Sequence, residues 1–269
     1  MNTVSDRSAA GRRGTALLSW ARDKAPAWLF LLLLLGLWQL CSQRQWVAAY
    51  LLPSPAAILE AIGDNWNDIS AATLSTLTSI LWGLGLSCCS GVALAVIFFA
   101  IPLVRRAVLP FCIFFQTVPI IAVAPLLVIW FGFGAPTVRA SAFIVSLFPI
   151  LANTLAGLQQ TDPHLRELFQ LYRPSRRDLI VKLQLPAALP YIIAGLRIGI
   201  GLAVIGAIVG EFIAGGGIGS LIDSARTQQR VDLVFAGVLV SSALALALIL
   251  ALDGITRLLV GRRPFLRGG

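Results

Sequence analysis

The stretch TDPHLRELFQLYRPSRRDLIVKLQLPAALP, residues 161–190, is the longest polar interruption in a chain that is apolar from about residue 28 almost to its end. Its charged residues are mixed in sign but mostly basic, and they are Arg166, Arg173, Arg176, Arg177 and Lys182 with Asp162, Glu167 and Asp178. Long apolar segments lie on either side of this polar stretch, so the other segments of the chain are described by their position relative to it.

The stretch contains signals for two short helices. Asp162 before Pro163 predicts an N-cap with proline at the first helical position. Apolar residues then recur with helical spacing at Leu165, Leu168, Phe169 and Tyr172. Ser175 and Asp178 have the spacing of a capping box, which opens a second helix that we expect to end at the pair Leu185-Pro186.

The composition indicates a membrane protein rather than a soluble domain. Of 269 residues, 58% are hydrophobic and 12% are charged, whereas a soluble domain has about a quarter of its residues charged. The formal net charge of +9 is concentrated in the short segments between apolar ones, as topogenic positive charge is. A nucleic-acid partner, which would need one basic patch, is therefore not expected.

About six apolar segments are long enough to cross a bilayer, so the sequence predicts an all-α integral membrane protein. They lie at about residues 26–42, 74–102, 108–131, 137–158, 189–212 and 233–256. We expect one membrane domain over residues 25–260, with polar tails at 1–24 and 261–269. The first segment is interpreted as an uncleaved helix, because no small-residue cleavage site follows it.

The distribution of basic residues predicts the orientation. Few bases lie in the segments that would face outward, namely Arg44, Arg139, Arg226 and Arg230. By the positive-inside rule, both tails and the loop at 161–188 are then cytoplasmic. On the outer face we expect a short interfacial helix at residues 55–66. The glycine-rich AGGGIGSLI at 214–222 is expected to form a flexible or re-entrant loop there.

A family resemblance is carried by several motifs. Glu167, Arg173, Leu183, Leu185 and Pro186 keep the spacing of the "EAA" loop, E-A-A-x3-G-x9-I-x-L-P. Further blocks are LLPSPAAIL at 51–59, VPIIAVAPLLVIWFGFG at 118–134, FPILANTLAGL at 148–158, LPAALPYIIAGLRIGIGLA at 185–203 and GEFIAGGGIGSLI at 210–222. The chain resembles the membrane-spanning permease subunits of bacterial ABC importers. The branch it resembles is the nitrate/sulfonate/taurine branch of the binding-protein-dependent transport inner-membrane component family.

The chain departs from that motif at its centre. Leu168-Phe169 stands where the motif has Ala-Ala, and Arg173 stands where it has glycine. Glycine permits a left-handed turn, which is costly for arginine. We therefore expect the turn to differ in shape from that of the family.

The resemblance implies a type I ABC importer permease fold in which the loop at 161–188, between the fourth and fifth spans, couples the subunit to its ATPase. The implied partners are a dimer of cytoplasmic ATP-binding subunits, an extracytoplasmic substrate-binding protein and a second permease copy in a homodimer. The implied location is the bacterial inner membrane. The residues expected to contact the ATPase are Glu167, Leu168, Phe169, Tyr172, Arg173, Arg176 and Pro186.

The third predicted span combines proline with polar side chains. Gln116 and Thr117 lie in a segment that also contains Pro110, Pro119 and Pro125. Repeated proline frees backbone carbonyls, which a membrane tolerates only where protein or a water-filled cavity satisfies them. This favours a broken helix that lines the translocation path, and a kinked packing helix is the alternative.

Other polar residues in the spans are further candidates for the path. Asn153 either lines it or pins two helices together. Arg197 and Glu211 either meet substrate or extend to a membrane interface from near the ends of the fifth span. The full candidate set is Gln116, Thr117, Ser146, Asn153, Arg197 and Glu211.

The sequence contains no catalytic or cofactor-binding pattern. It has no G-x4-G-K-[ST] nucleotide loop, and its single histidine, His164, has no metal-ligand spacing to a cysteine. We expect a non-catalytic subunit with no metal or cofactor, whose energy comes from a separate ATPase. Asp253 and Arg257 are spaced for an i, i+4 ion pair of small value.

The substrate is less closely defined than the class. The resemblance implies a small anion such as nitrate, taurine or an alkanesulfonate. The same branch includes permeases for uncharged pyrimidine precursors of thiamine, which stay open as an alternative. Two other functions also stay open: an ion-coupled secondary transporter, whose uptake would collapse with the ion gradient, and a scaffold that transports nothing.

Overall fold

The computed structural model describes residues 25–26, 29–48 and 50–260, and over these residues the chain is helical with no strand. The predicted tails at 1–24 and 261–269 lie outside the described residues. The helices are α1 Leu29–Gln43, α2 Pro55–Asp64, α3 Trp66–Ala100, α4 Pro102–Thr117, α5 Ile120–Phe131, α6 Ala135–Gln159, α7 Pro163–Gln170, α8 Arg176–Asp178, a π-helix at Leu179–Gln184, α9 Leu185–Ala187, α10 Leu189–Ala214, α11 Gly217–Thr227 and α12 Val231–Val260.

Four of the described helices are long and apolar enough to cross a membrane, namely α3, α6, α10 and α12. The pair α4 and α5 forms a fifth span if it is counted as one, although the two helices are bent by 103°. Helix α1 is apolar but shorter than these. The all-helical class is thus confirmed with four to five spans, and the sixth span stays a prediction.

Helix α6 is the centre of the bundle and packs between α3 and α10. A Cβ added at Gly83 of α3 would lie 2.7 Å from Cβ of Ala142, and one added at Gly206 of α10 would lie 2.7 Å from the carbonyl oxygen of Ser141. Lipid tails give apolar helices no hydrophobic reason to associate, so close backbone approach through small residues supplies the contact. The three helices therefore form a tightly packed core.

Two further clusters close the ends of this core. At one end, residues of α2, α3, α11 and α12 meet around Ile58, Ile69, Ala225, Leu233 and Ala236. At the other end, α3 and α6 meet the start of α10 around Ala95, Phe98, Leu151, Leu155, Leu158 and Ala188. The first end carries the short helix predicted at 55–66, which Ser54 caps by accepting a hydrogen bond from the amide of Ala57 (3.1 Å).

The break in the third predicted span lies between Thr117 and Ile120. Pro119 is the N-cap of α5, whereas Pro110 and Pro125 lie inside α4 and α5. Val118 ends α4 by donating to the carbonyl of Phe115 (3.3 Å). The helix is therefore broken as the sequence indicates, but only one of its three prolines coincides with the break.

Two local expectations need correction. The segment at 214–222, expected to be a flexible or re-entrant loop, is mostly helical, because a tight turn at Gly215 and Gly216 leads directly into α11. The second short helix ends at Ala187, one residue beyond the predicted end at Leu185-Pro186, and its course before that end was not predicted. The chain widens into the π-helix before Pro186, and α9 continues through it. Proline has no amide to donate, and the wider π-helical turn accommodates that loss.

Candidate functional site

Helix α7 begins as the sequence predicts. The carboxylate of Asp162 accepts a hydrogen bond from the amide of His164 (2.8 Å), and Pro163 occupies the first turn. These two residues fix the start of a helix of only 8 residues. A helix this short is marginal by itself in water, so packing against other groups has to stabilise it.

The apolar residues of α7 and its C-terminal end are largely uncovered by the rest of the chain. Leu168, Leu171 and Tyr172 are 60%, 79% and 83% exposed, while Phe169 is half-buried. The sequence prediction named Leu168, Phe169 and Tyr172, and the structure adds Leu171 to the exposed apolar residues, off the face defined by helical spacing. In the sequence, Leu171 could have been identified as a candidate because it is an apolar residue within a polar loop.

The turn after α7 keeps a left-handed backbone in spite of its arginine. Arg173 has φ +46°, a conformation that costs a non-glycine residue roughly 1–2 kcal/mol. Arg173 thus adopts the left-handed conformation that a glycine permits, and the expected difference in turn shape from the family stays a prediction. The backbone at Arg173 is therefore strained, and its long cationic side chain is exposed.

The second helix of the loop is capped by a compact polar cluster. Ser175 Oγ accepts a hydrogen bond from the amide of Asp178 (3.1 Å) and donates one to Asp178 Oδ2 (2.6 Å). Lys182 pairs with Asp178 Oδ1 (2.5 Å). Lys182 first, and then Ser175, hold the pKa of the Asp178 carboxyl below its usual value. Unlike a full capping box, the acid bonds the serine hydroxyl rather than the serine amide.

The remaining residues predicted to contact an ATPase are also on the surface. Glu167 and Arg176 are exposed, as are Arg173 and Pro186. Neither Glu167 nor Arg176 makes an ion pair with another described residue. Apart from the half-buried Phe169, the whole predicted set is therefore accessible to a partner.

The bend between α4 and α5 exposes the two polar candidates of the third span. Gln116 and Thr117 are both exposed. The hydroxyl of Thr117 donates to the carbonyl of Phe114 (2.7 Å), which satisfies one of the carbonyls left free at the end of α4. Phe114 and Phe115 flank them with 63% and 67% exposure. At the bend, two exposed polar side chains are therefore surrounded by exposed apolar ones.

Two candidates in α6 serve packing in this conformation. Ser146 is fully buried, and its hydroxyl lies 2.7 Å from that of Ser87 on α3. Asn153 donates to the carbonyl of Pro149 in its own helix (2.8 Å), and it packs where Gly195 of α10 comes close. No surface path reaches Ser146 here, while Asn153 is half-buried.

Arg197 is paired rather than free. Its guanidinium bonds the carboxylate of Asp253 on α12, with side chains 55% and 26% exposed. The predicted pairing of Asp253 with Arg257 is therefore wrong, because Asp253 points across to α10 instead of along its own helix. The positive charge of Arg197 is largely compensated where it lies.

Glu211 does not extend to solvent from the end of α10, which one of the two sequence interpretations required. It is 1% exposed. Its carboxylate bonds the hydroxyl of Thr76 on α3 (2.7 Å) and the amide of Gly219 on α11 (2.8 Å). Sequence position near a helix end suggested solvent access, but the turn that follows folds back over the side chain.

The six path candidates do not form one cluster. Ser146 and Glu211 are inside the bundle, Gln116 and Thr117 are at the α4–α5 bend, and Arg197 is bonded to α12. The residues predicted to contact an ATPase, in contrast, lie close together in the chain between Glu167 and Pro186, and all but Phe169 are exposed. The described residues thus form a bundle of apolar helices with one uncovered amphipathic helix, and no group of His, Cys, Asp and Glu side chains among them could hold a metal ion.

The chain belongs to the binding-protein-dependent transport system inner membrane component family, whose model matches residues 87–263. This is the permease family of ABC importers, so the chain is a multi-pass membrane permease subunit and not an enzyme. The family resemblance carried by the sequence motifs is thereby confirmed.

Individual relatives extend over most of the chain. It is 38% identical to the formylaminopyrimidine transport permease protein ThiX of Halalkalibacterium halodurans, over 81% of this chain and 88% of that protein. It is 33% identical to the riboflavin transport system permease protein RibX of Chloroflexus aurantiacus, over 86% and 87%. It is 29% identical to the taurine transport system permease protein TauC of Escherichia coli, over 84% and 86%, which supports the nitrate/sulfonate/taurine branch.

Proposed function

We propose that two copies of this chain form the membrane path of an ATP-driven importer. Residues 25–260 are the membrane domain, and the loop at 161–188 docks on a cytoplasmic ATP-binding subunit. An extracytoplasmic binding protein delivers substrate at the opposite end. ATP binding draws two ATPase subunits together, and the two permease copies rock from inward-open to outward-open around their shared axis.

The observation that carries this proposal is the uncovered apolar surface of α7 and its end. Leu168 on the short helix α7 is exposed, and so are Leu171 and Tyr172 directly after its end. An amphipathic helix of this kind suits a groove on a partner protein, with its charged neighbours at the rim of the contact. Glu167 and Arg176 are the rim residues here.

The charges at the two ends of the bundle support a cytoplasmic position for this loop. The end that carries α7 also carries Arg105 and Arg106 at the start of α4 and Arg257 near the end of α12. The other end carries few bases, including Arg226 and Arg230, each bonded to an aspartate. By the positive-inside rule the α7 end is cytoplasmic, and so are both termini.

The α4–α5 bend supports an arrangement of two copies around a path. Gln116 presents an amide on an apolar surface, and an amide that faces hydrocarbon leaves its donors and acceptor unpaired. A second copy and the water of a path between the copies would satisfy it. We propose that Gln116 and Thr117 face that path.

The substrate we propose is a small polar molecule without a net charge. Arg197 was the candidate for an anion contact, and its charge is compensated by Asp253. The exposed polar groups at the bend, Gln116 and Thr117, are neutral hydrogen-bonding side chains. The formylaminopyrimidine and riboflavin permeases among the relatives agree with this choice. A small anion such as taurine, nitrate or an alkanesulfonate is the other candidate.

Identification of the ligand held by the binding protein encoded beside this gene tests the substrate class. The binding protein is purified without added ligand and denatured, and the released molecule is identified by mass spectrometry. We expect an uncharged heterocyclic compound. A sulfonate or an inorganic anion would contradict the proposed class while leaving the transport function intact.

Loss of docking in a charge variant tests the coupling surface. Leu171→Glu places a carboxylate in the exposed apolar patch, and we expect it to prevent co-purification of the ATP-binding subunit in detergent. Leu103→Glu is the matched control, since Leu103 is 77% exposed at the same end but lies on α4. It should leave the complex intact. Phe169 is less suitable, because it is half-buried and its replacement would also disturb packing.

Retained binding by Leu171→Glu would contradict the proposed docking surface. Equal loss in Leu171→Glu and Leu103→Glu would do so too, because it would show that any charge at this end disrupts the complex.

A further inference from the structure

The carboxylate of Glu211 holds three helices together at the end of the bundle opposite α7. Oε2 accepts a hydrogen bond from the amide of Gly219 on α11 (2.8 Å), and Oε1 lies 2.7 Å from the hydroxyl of Thr76 on α3. Thr76 in turn accepts from the amide of Ile218 (2.9 Å). Glu211 belongs to α10, so these bonds join α3, α10 and α11.

The hydroxyl of Thr76 has one proton and two acceptors within reach. It lies 3.0 Å from the carbonyl of Ala72 as well as 2.7 Å from Glu211. A carboxylate is the stronger acceptor, so the proton points to Glu211. Thr76 therefore relays a bond from the α11 backbone to the α10 carboxylate, and both side chains are at most 1% exposed.

The backbone around the carboxylate leaves no room for other residues. Gly215, Gly216 and Gly217 have φ +81°, +86° and +67°, all in the left-handed region. A Cβ on Gly217 would lie 1.9 Å from Oε1 of Glu211, and one on Gly219 would lie 2.6 Å from the carbonyl oxygen of Ile208. The turn at 215–217 therefore needs glycine to pack against the Glu211 carboxylate as it does.

This arrangement forms one wall of an open cavity. The cavity has a volume of about 430 Å³ and lies between the start of α3, α11 and the start of α12. Its lining includes Gly217, which lies against the carboxylate, and Ala72, whose carbonyl lies 3.0 Å from the Thr76 hydroxyl. Asp68 and Arg230 are among its polar residues. The turn is also tied to α6 on its other side, since the amide of Gly134 donates to the carbonyl of Ala214 (2.9 Å).

We propose that Glu211 and Thr76 are positioning residues that make α11 part of the rigid α3–α6–α10 core and so fix the outer end of the transport path. This inference rests on the proposed function. A buried carboxylate is costly unless its donors stay in place, so the contact holds only while α11 keeps its position. Motion at this end is then left to elements outside the core, such as the α4–α5 pair.

The number of substrate molecules imported per ATP hydrolysed is the readout that tests this role. Thr76 and α7 lie at opposite ends of the bundle. Loss of the contacts that hold α11 on the core should therefore lower substrate uptake, while ATP hydrolysis by the ATPase continues. A variant that merely folds poorly would lower uptake and hydrolysis in proportion. The ratio separates positioning from stability.

Thr76→Val and Thr76→Ser are the matched pair, assayed in the complete complex in proteoliposomes. Valine keeps the shape but leaves the Ile218 amide and one Glu211 oxygen unpaired, and we expect the ratio to fall about fivefold or more. Serine keeps the hydroxyl and should stay near the wild-type ratio. An unchanged ratio in Thr76→Val, or equal loss in both variants, would overturn the proposal.

Hydrogen exchange of the unmodified complex gives a second test that does not depend on a variant folding. We expect the backbone amides of Ile218 and Gly219 to stay protected during ATP turnover, and faster exchange there during turnover would overturn the proposal. If the wild-type complex imports nothing, the proposed function fails instead. The protection of these amides in the isolated permease would then still report on the contact itself.

Discussion

Gly206 and Gly201 lie on the same helix but have opposite surroundings. A Cβ on Gly206 would lie 2.5 Å from Cγ2 of Val145 and 2.7 Å from the carbonyl oxygen of Ser141. A Cβ on Gly201 would meet nothing within 4 Å. Gly206 is therefore required by the contact between α10 and α6, whereas Gly201 is not.

Alanine at these two positions should have opposite effects on stability. We expect Gly206→Ala to destabilise the protein by about 1–3 kcal/mol, because the added methyl forces α10 away from α6. Gly201→Ala should be neutral or stabilise by up to about 0.5 kcal/mol, because alanine favours the helix. Thermal unfolding in detergent measures both. Equal midpoints for the two variants would contradict the packing described for α6.

Asp253 illustrates a residue whose partner the sequence did not reveal. Local spacing pointed to Arg257, four residues along the same helix, but the partner is Arg197 on α10. Contacts between distant segments leave no trace in local spacing. Glu211 was misjudged for the same reason, since its partners Thr76 and Gly219 come from two other helices.

A double-mutant cycle on stability tests the assignment of Asp253. Both partners are partly exposed, so we expect Asp253→Asn and Arg197→Gln to show a coupling energy of at most about 1 kcal/mol. The cycle of Asp253→Asn with Arg257→Gln should show none. A larger coupling with Arg257 than with Arg197 would restore the pairing predicted from sequence.

At the scale of elements, the loop at 161–188 has one part whose structure the sequence predicts and one part whose structure it does not. The cap and start of α7 follow from Asp162 and Pro163, because capping is a local property. The π-helix at Leu179–Gln184 does not follow, because proline after a helical pattern usually signals its end. Here the side chain of Gln184 is buried, and the helical run continues past Pro186 to Ala187.

The strained turn at Arg173 gives a prediction for this element. Arg173→Gly removes the cost of a left-handed conformation, and we expect the backbone amides around the turn to exchange with solvent about fivefold more slowly. Arg177→Gly is the control, since position 177 lies in α8 and glycine there should weaken the helix. Faster exchange in Arg173→Gly would show that the arginine side chain holds the turn through contacts.

At the scale of the whole molecule, the length of the apolar segments predicted where the long helices lie better than it predicted whether they are straight or bent. Helices α3, α6, α10 and α12 agree with four predicted segments to within a few residues at most ends, although α3 begins earlier, at Trp66. The third segment was apolar enough to read as one span, but it is bent by 103° at Pro119. The angle depends on how α5 packs on α6 and α10, which no single segment encodes.

Cross-linking between copies tests the proposed place of the bend. The native cysteines, Cys41, Cys88, Cys89 and Cys112, are first replaced by alanine or serine. We expect Gln116→Cys to form disulfide-linked dimers on oxidation in the membrane, because we propose that the bend faces the path between two copies. Leu239→Cys is the control, as Leu239 is 51% exposed on α12. Equal dimer yields for the two variants would contradict the arrangement.

The source of energy is the central claim about the molecule, and uptake by purified proteins in proteoliposomes measures it directly. Uptake should require ATP, the ATP-binding subunit and the binding protein together, and should persist when ionophores abolish every ion gradient. Uptake that continues without the ATP-binding subunit and collapses with an ion gradient would contradict the account and identify an ion-coupled carrier.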